Sequence, residues 1–194
     1  MSTRKSVVFV VVAVVALALG MASATYAQKK MDLPPELMKQ LNMAMENMAK
    51  VMLDMKMEDR PKYMMKQQAN SIASGKQAFN TALGRNQQTC NACHPGGGTT
   101  GGEAEIPMKG RFAMNPKLPI PTLIGAAARF PKYKVPNDAV ITIEQMNNNC
   151  IKMFMMGDGL ELTSQKARDL AAYVSTLSNG EEIAIGKMEM MMKK

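Results

Sequence analysis

The sequence predicts an all-α chain, and three observations carry that expectation. Apolar residues recur at steps of three and four in several segments, two capping boxes mark helix starts, and no segment of any length alternates with a strand period.

The first 27 residues stand apart from the rest. They hold Arg4 and Lys5, thirteen consecutive apolar residues from Val7 to Leu19, and small residues suited to cleavage after Ala24 or after Ala27. This is the pattern of a secretory signal peptide, because a spanning helix needs roughly 18 or more apolar residues; an uncleaved N-terminal anchor is the alternative. Export to the periplasm or an equivalent compartment follows, with no membrane attachment after cleavage. Removing Arg4 and Lys5, with no acid before Gln28, takes the net charge from +8 to +6. There is no Trp and no basic motif interleaved with aromatics, so nucleic-acid binding is not expected. An acidic redox partner accounts for the basic surface more simply.

From Met38 through Leu41, Met45, Met48 and Met52 to Met55 the apolar positions alternate steps of three and four. Pro34 and Pro35 suit the first turn and Pro61 the end, so the pattern predicts a helix at about 35–59. A copper-binding methionine array is one reading; a pliable thioether face that packs on the domain or a partner is the plainer one. A second helical stretch runs from Pro61 to Ser74, where Ser74-Gly75-Lys76-Gln77 reads as a capping box for a short helix bearing Phe79 and Leu83, stopped by Gly84. Residues 94–121 are rich in glycine and proline and read as loop. Thr142-Ile143-Glu144-Gln145 is the second capping box, opening a helix toward Cys150. The last helix begins near Ser164, with Ala167, Leu170, Ala171, Val174 and Leu177 on one face and Asn179-Gly180 at its end. The expected organisation is a signal peptide at 1–27, a Met-rich helical extension at 28–70, one domain at 71–186 and a mobile tail at 187–194.

The stretch Cys90-Asn91-Ala92-Cys93-His94 contains two of three cysteines and the single histidine. Its spacing is that of covalent haem attachment: both thiols add across the haem vinyl groups and the histidine is held under the iron. A thioredoxin-type pair lacks its βαβ surroundings, and a zinc tetrad lacks a second Cys/His pair. One covalent haem c is therefore the expected cofactor. A second histidine ligand is excluded within the chain. The sixth position is left to a thioether from Met146, Met153, Met155 or Met156, to Cys150, or to an open or partner-supplied site.

Gly75 and Phe79 before the attachment motif and Pro121-Thr122-Leu123-Ile124-Gly125 after it resemble a class I cytochrome c. The resemblance implies that fold, a C-terminal helix crossing through Tyr173, and a Pro121 carbonyl that orients His94. From Arg129-Phe130-Pro131 through Thr142-Ile143-Glu144-Gln145 and Cys150 to Ala171-Ala172-Tyr173 and Gly180, the order is similar to the haem domain of SoxA and the thiosulfate dehydrogenases. There the elements read "ARYP", "TLEQRIxxC" and "ALxAYxxxLSxG", and the helix cysteine binds iron. That likeness implies Cys150 as the distal ligand.

Met146 departs from the motif, which has an arginine there to hold an anionic sulfur substrate. A thioether cannot pair with thiosulfate, and Lys152 is a poorer clamp than a guanidinium fork. Ile151, Met153, Phe154, Met155 and Met156 suggest a closed apolar pocket around Cys150, in which a diatomic gas can take the cysteine's place after reduction. In charge, size and site the chain also resembles the small basic NO-binding His/Cys cytochromes of anaerobic ammonium-oxidising bacteria. The expected function is electron transfer, NO or CO binding, or both, with a redox partner and a second small cytochrome as dimer partner. The alternatives are a SoxA-like subunit of a sulfur-oxidising enzyme and a simple His/Met shuttle.

Overall fold

Prolines set the first helix. The computed structural model describes residues 33–105 and 117–187, so the signal peptide expected at 1–27 and the tail beyond Lys187 lie outside the described residues. Within the first of two compact units, which ends at Arg60, helix α1 spans Pro35–Met52 and starts behind Pro34 with Pro35 in its first turn. It is shorter than the sequence pattern suggests. The Arg60 guanidinium takes the terminal carbonyl of α1, donating from Nη2 to Met52 O at 2.6 Å, and from Nε it reaches Met55 O in the turn that follows, at 3.2 Å. No residue of α1 is buried, and its apolar positions Met38, Leu41, Met45, Met48 and Met52 are each 39–57 % exposed.

Helix α2, Arg60–Phe79, leads into the second unit, Pro61–Lys194. It is one unbroken helix, which corrects the expected break at Ser74. Ser74 sits exposed in mid-helix, while Gly75 is buried beside it. A capping box read from sequence marks a helix start only if the preceding residues leave the helix, and here they do not.

The core forms where α2 meets the last helix, α5 (Gln165–Thr176). Phe79, Leu170, Tyr173 and Val174 are buried together with Ala78. The rings of Phe79 and Tyr173 meet edge to face, 5.2 Å apart and inclined by 63°. Asp169 is buried at this crossing, and its Oδ1 accepts from Ser71 Oγ at 2.5 Å and from Gln165 Nε2 at 2.6 Å. Ser164 caps α5, accepting from the Ala167 N–H at 3.2 Å.

Between α2 and α5 the chain is less helical than the sequence predicts. A single turn, α3 (Cys90–Cys93), is followed by strands β1 (Gly102–Glu105) and β2 (Lys117–Ile120), paired antiparallel with Gly102 opposite Ile120. A second hairpin pairs β3 (Lys132–Lys134) with β4 (Ala139–Ile141), Lys132 opposite Ile141. Strands of three and four residues show too few alternations for a period to be read. Helix α4, Ile143–Phe154, then begins at the capping box expected from sequence. Thr142 Oγ1 accepts from the Gln145 N–H at 3.4 Å, and Gln145 Oε1 accepts from the Thr142 N–H at 2.8 Å. Thr142→Ala is expected to lower stability by about 1 kcal/mol, the ordinary worth of an N-cap, read from the midpoint of a urea denaturation curve.

Candidate functional site

Thr89 begins the attachment turn: its side chain accepts from the Ala92 N–H at 3.1 Å, and the His94 N–H then closes the turn on Cys90 O at 2.8 Å. One turn of helix puts the two cysteines on the same side, three residues apart. Next, the glycines fold the chain back. Gly98 donates to His94 O at 2.9 Å and accepts from the Leu123 N–H at 2.8 Å, which brings the 121–123 segment against the turn. Gly97, at φ 70°, donates to Asn91 Oδ1 at 2.8 Å and accepts from Tyr173 OH at 2.8 Å. The C-terminal helix is thereby tied to the attachment loop.

His94 Nδ1 lies 2.9 Å from Pro121 O. A carbonyl only accepts, so Nδ1 carries the proton and Nε2 keeps its lone pair. Burial lowers the pKa of His94, against the pull of the Pro121 bond, and favours the neutral ring. A neutral imidazole with an oriented free nitrogen is what metal ligation requires.

Cys90, Cys93, His94, Pro121 and Cys150 all border one cavity of about 410 Å³. The rest of its wall is mainly apolar, including Phe79, Leu123, Ile143, Phe154, Leu170 and Val174. The segment before the attachment turn is fixed to the end of α4: Asn86 Nδ2 donates to Phe154 O at 2.7 Å, and a Cβ on Gly84 would lie 1.7 Å from Met155 O. That fastening sets α4, and Cys150 on it, beside the attachment turn.

None of the three cysteines is paired in a disulfide. Burial pushes Cys90 up to about 12, with the charge of Cys150 adding to the effect. Cys93 is raised by burial alone. Cys150 is pushed up to about 11 by burial first and then by Cys93, while the Lys134 ammonium acts in the opposite sense. A thiol held this high is neutral in the protein by itself and becomes a thiolate only against a cation.

Of the candidate thioethers, Met146 and Met155 border the cavity; Met153 does not, and Met156 points outward, 47 % exposed. The expected apolar shell around Cys150 is corrected accordingly, since of Ile151, Met153, Phe154, Met155 and Met156 only Phe154 and Met155 reach the wall. Lys152 is exposed and does not line it. The cations that do are Arg129, Lys132 and Lys134, with both lysine ammonium groups standing over the Phe130 ring at 5.5 and 5.8 Å from its centre. Nothing in the sequence singled out the two lysines, because β3 is three residues long; alternation along it puts Lys132 and Lys134 on one side.

The cavity fits a haem. Its walls are apolar, two thiols and an oriented imidazole border it, and among the described residues no group of three His, Cys, Asp or Glu side chains converges to hold a bare metal ion.

Residues 118–183 match the family profile described as SoxA/TsdA, cytochrome c domain. The chain resembles a SoxA/TsdA-type c-type cytochrome. This SoxA/TsdA-like chain is 31 % identical over 96 residues to the thiosulfate dehydrogenase of Allochromatium vinosum, a match covering 49 % of the chain and 30 % of that protein. It thus spans under a third of the curated relative's length. Among solved structures, SoxXA from P. pantotrophus aligns with a TM-score of 0.44 and 19 % identity, over 62 % of this chain and 37 % of that one. Thiosulfate dehydrogenase (TsdBA) from Marichromatium purpuratum gives the same TM-score of 0.44 and 19 % identity, over 60 % and 24 %. A cytochrome c domain binds haem and carries electrons. Among the described residues no helix is long and apolar enough to cross a membrane.

Proposed function

We propose that the chain is an exported monohaem c-type cytochrome, with haem attached through Cys90 and Cys93 and ligated by His94 and Cys150, that transfers electrons and binds NO or CO. The observation that carries this reading is that Cys150 borders the same cavity as the attachment motif and is the one sulfur there outside it with a charge to give. Bound in that cavity, haem supplies a one-electron iron couple and a position for a small gas. His94 presents Nε2, Pro121 O fixes its ring, and the apolar wall excludes water. Cys150, as a thiolate, favours the ferric state and lowers the reduction potential.

The surrounding cations tune that balance. Lys134→Met removes a positive charge near Cys150 and is expected to favour the ferric form roughly fivefold, about 40 mV downward. Spectropotentiometry of the two proteins checks it, and an unmoved potential rules the electrostatic role out.

A second reading, a SoxA-like subunit of a sulfur-oxidising enzyme, is favoured by the family match over residues 118–183 and by the cations on the cavity wall. Met146 weighs against it, because the position that would clamp an anion faces the cavity with a thioether. Thiosulfate-dependent reduction of the haem would decide for the enzyme. CO or NO titration of the reduced protein decides the gas reading, and no spectral change at saturating gas removes it. A simple shuttle with methionine at the iron would show a weak far-red band when oxidised.

The domain assignment proposed is an exported haem domain at 71–186 preceded by the Met-rich extension at 28–70. The exposed apolar positions of α1 support docking to a second small cytochrome, consistent with a periplasmic heterodimer. Light scattering of the mature chain with and without residues 28–60 tests the docking.

A further inference from the structure

Three asparagines stand in a row on α4, and two of them are fully engaged. Asn148 grips the loop that follows, donating from Nδ2 to Leu160 O and accepting from the Leu160 N–H, both at 2.7 Å. Asn149 exchanges hydrogen bonds with Asn137, at 2.5 and 3.3 Å. Asn147 differs. It borders the cavity among Ile143, Met146, Cys150 and Phe154, and its Nδ2 is buried with no acceptor, the only such side-chain atom among the described residues.

Leaving a donor buried and unpaired costs about 1–3 kcal/mol. Packing does not demand it, because the neighbouring wall positions Ile143, Met146 and Phe154 are filled by apolar side chains. A polar group kept in an apolar wall at that cost points to an acceptor that arises when something is bound there.

We propose that Asn147 is a positioning residue for the axial sulfur, its amide donating a hydrogen bond to the Cys150 thiolate when haem is ligated. This rests on the His94/Cys150 reading. Residues three apart share one face of a helix, their Cβ atoms about 5–6 Å apart. The terminal torsion of asparagine is broad, so the amide turns toward Cys150 without leaving a rotamer well. A neutral thiol is a weak acceptor and a thiolate a strong one, which explains a donor that the protein alone leaves without a partner. The bond withdraws electron density from sulfur and so restrains its donation to iron.

The test uses the haem-loaded protein and its Asn147→Ile and Asn147→Leu variants, which remove the amide and put an apolar side chain of comparable size into a wall already formed by Ile143, Met146 and Phe154. Spectropotentiometry and resonance Raman of the oxidised form are the readouts. The ferric form is expected to gain about tenfold over wild type, equivalent to about 59 mV downward for one electron. The iron–sulfur stretch is expected to rise in frequency in both variants. An unchanged stretch overturns the proposal, and a potential that falls alone assigns the amide to another acceptor, such as a haem carboxylate. Failure of the underlying ligation looks different: a Cys150→Ala protein with the wild-type spectrum removes the sulfur from the iron and this inference with it.

Discussion

Cys150→Ala is expected to keep its haem, held through Cys90 and Cys93, while its ferric/ferrous balance shifts by more than tenfold toward the ferrous form. For one electron that is more than about 59 mV upward. The direction follows from charge. A thiolate places a negative charge on the iron and stabilises the more positive oxidation state; alanine removes it. Two outcomes are open to the emptied position, and the cavity wall limits them. Met146 and Met155 border it, so a thioether can reach inward and bring up the far-red band of the oxidised protein; failing that, the reduced protein takes CO more readily than wild type. Cys150→Met is the companion variant, carrying a neutral sulfur at the same backbone position. An oxidised spectrum and potential that match wild type in both variants would sink the thiolate assignment.

How much of this was legible beforehand depended on the range of the signal. Cys90, Cys93 and His94 are legible as a group because the haem-attachment pattern they match is defined within five consecutive residues. Likeness to a class I cytochrome c implies a helix crossing at Tyr173 and a Pro121 carbonyl that orients His94; in the structure Tyr173 of α5 meets Phe79 of α2, and Pro121 O lies 2.9 Å from His94 Nδ1. Cys150 could be singled out only by likeness too, since nothing within ten residues of it says that it shares a cavity with residue 90. Errors arose where tertiary contact overrides a local rule. Ser74 has the neighbours of a cap yet lies inside a helix whose next residue is pressed against α5. Met155 and Met156 look equivalent in sequence, but α4 ends at Phe154 and a positive φ of 56° at Met156 turns its side chain outward while Met155 is 2 % exposed. Lys134 acts on Cys150 from a strand too short to show a period. Met55, the last position of the methionine stripe, falls past the end of α1.

Gly75 shows what such a contact is worth. A Cβ added there would lie 1.9 Å from Asp169 O, 2.6 Å from Asp169 C and 2.8 Å from Tyr173 Cβ. Backbone atoms cannot rotate away, so α2 and α5 must part. Parting them loosens three linked contacts: the Ser71 bond to Asp169, the Phe79–Tyr173 ring pair, and the reach of Tyr173 OH to Gly97 O beside the attachment turn. Gly75→Val is therefore expected to cost about 4 kcal/mol or more, in the class of core mutations that unfold marginal domains. Urea denaturation followed by far-UV circular dichroism reads the stability, and the haem absorbance reports whether the attachment loop loosens with it. Its neighbour is the control. Ser74→Ala, exposed in the same turn, is expected to stay within about 0.5 kcal/mol of wild type. Were Ser74 a working cap, the same change would cost about 1 kcal/mol, so a loss of that size would reinstate a break in α2, whereas a Gly75→Val protein as stable as wild type would mean that the helices do not cross at this residue.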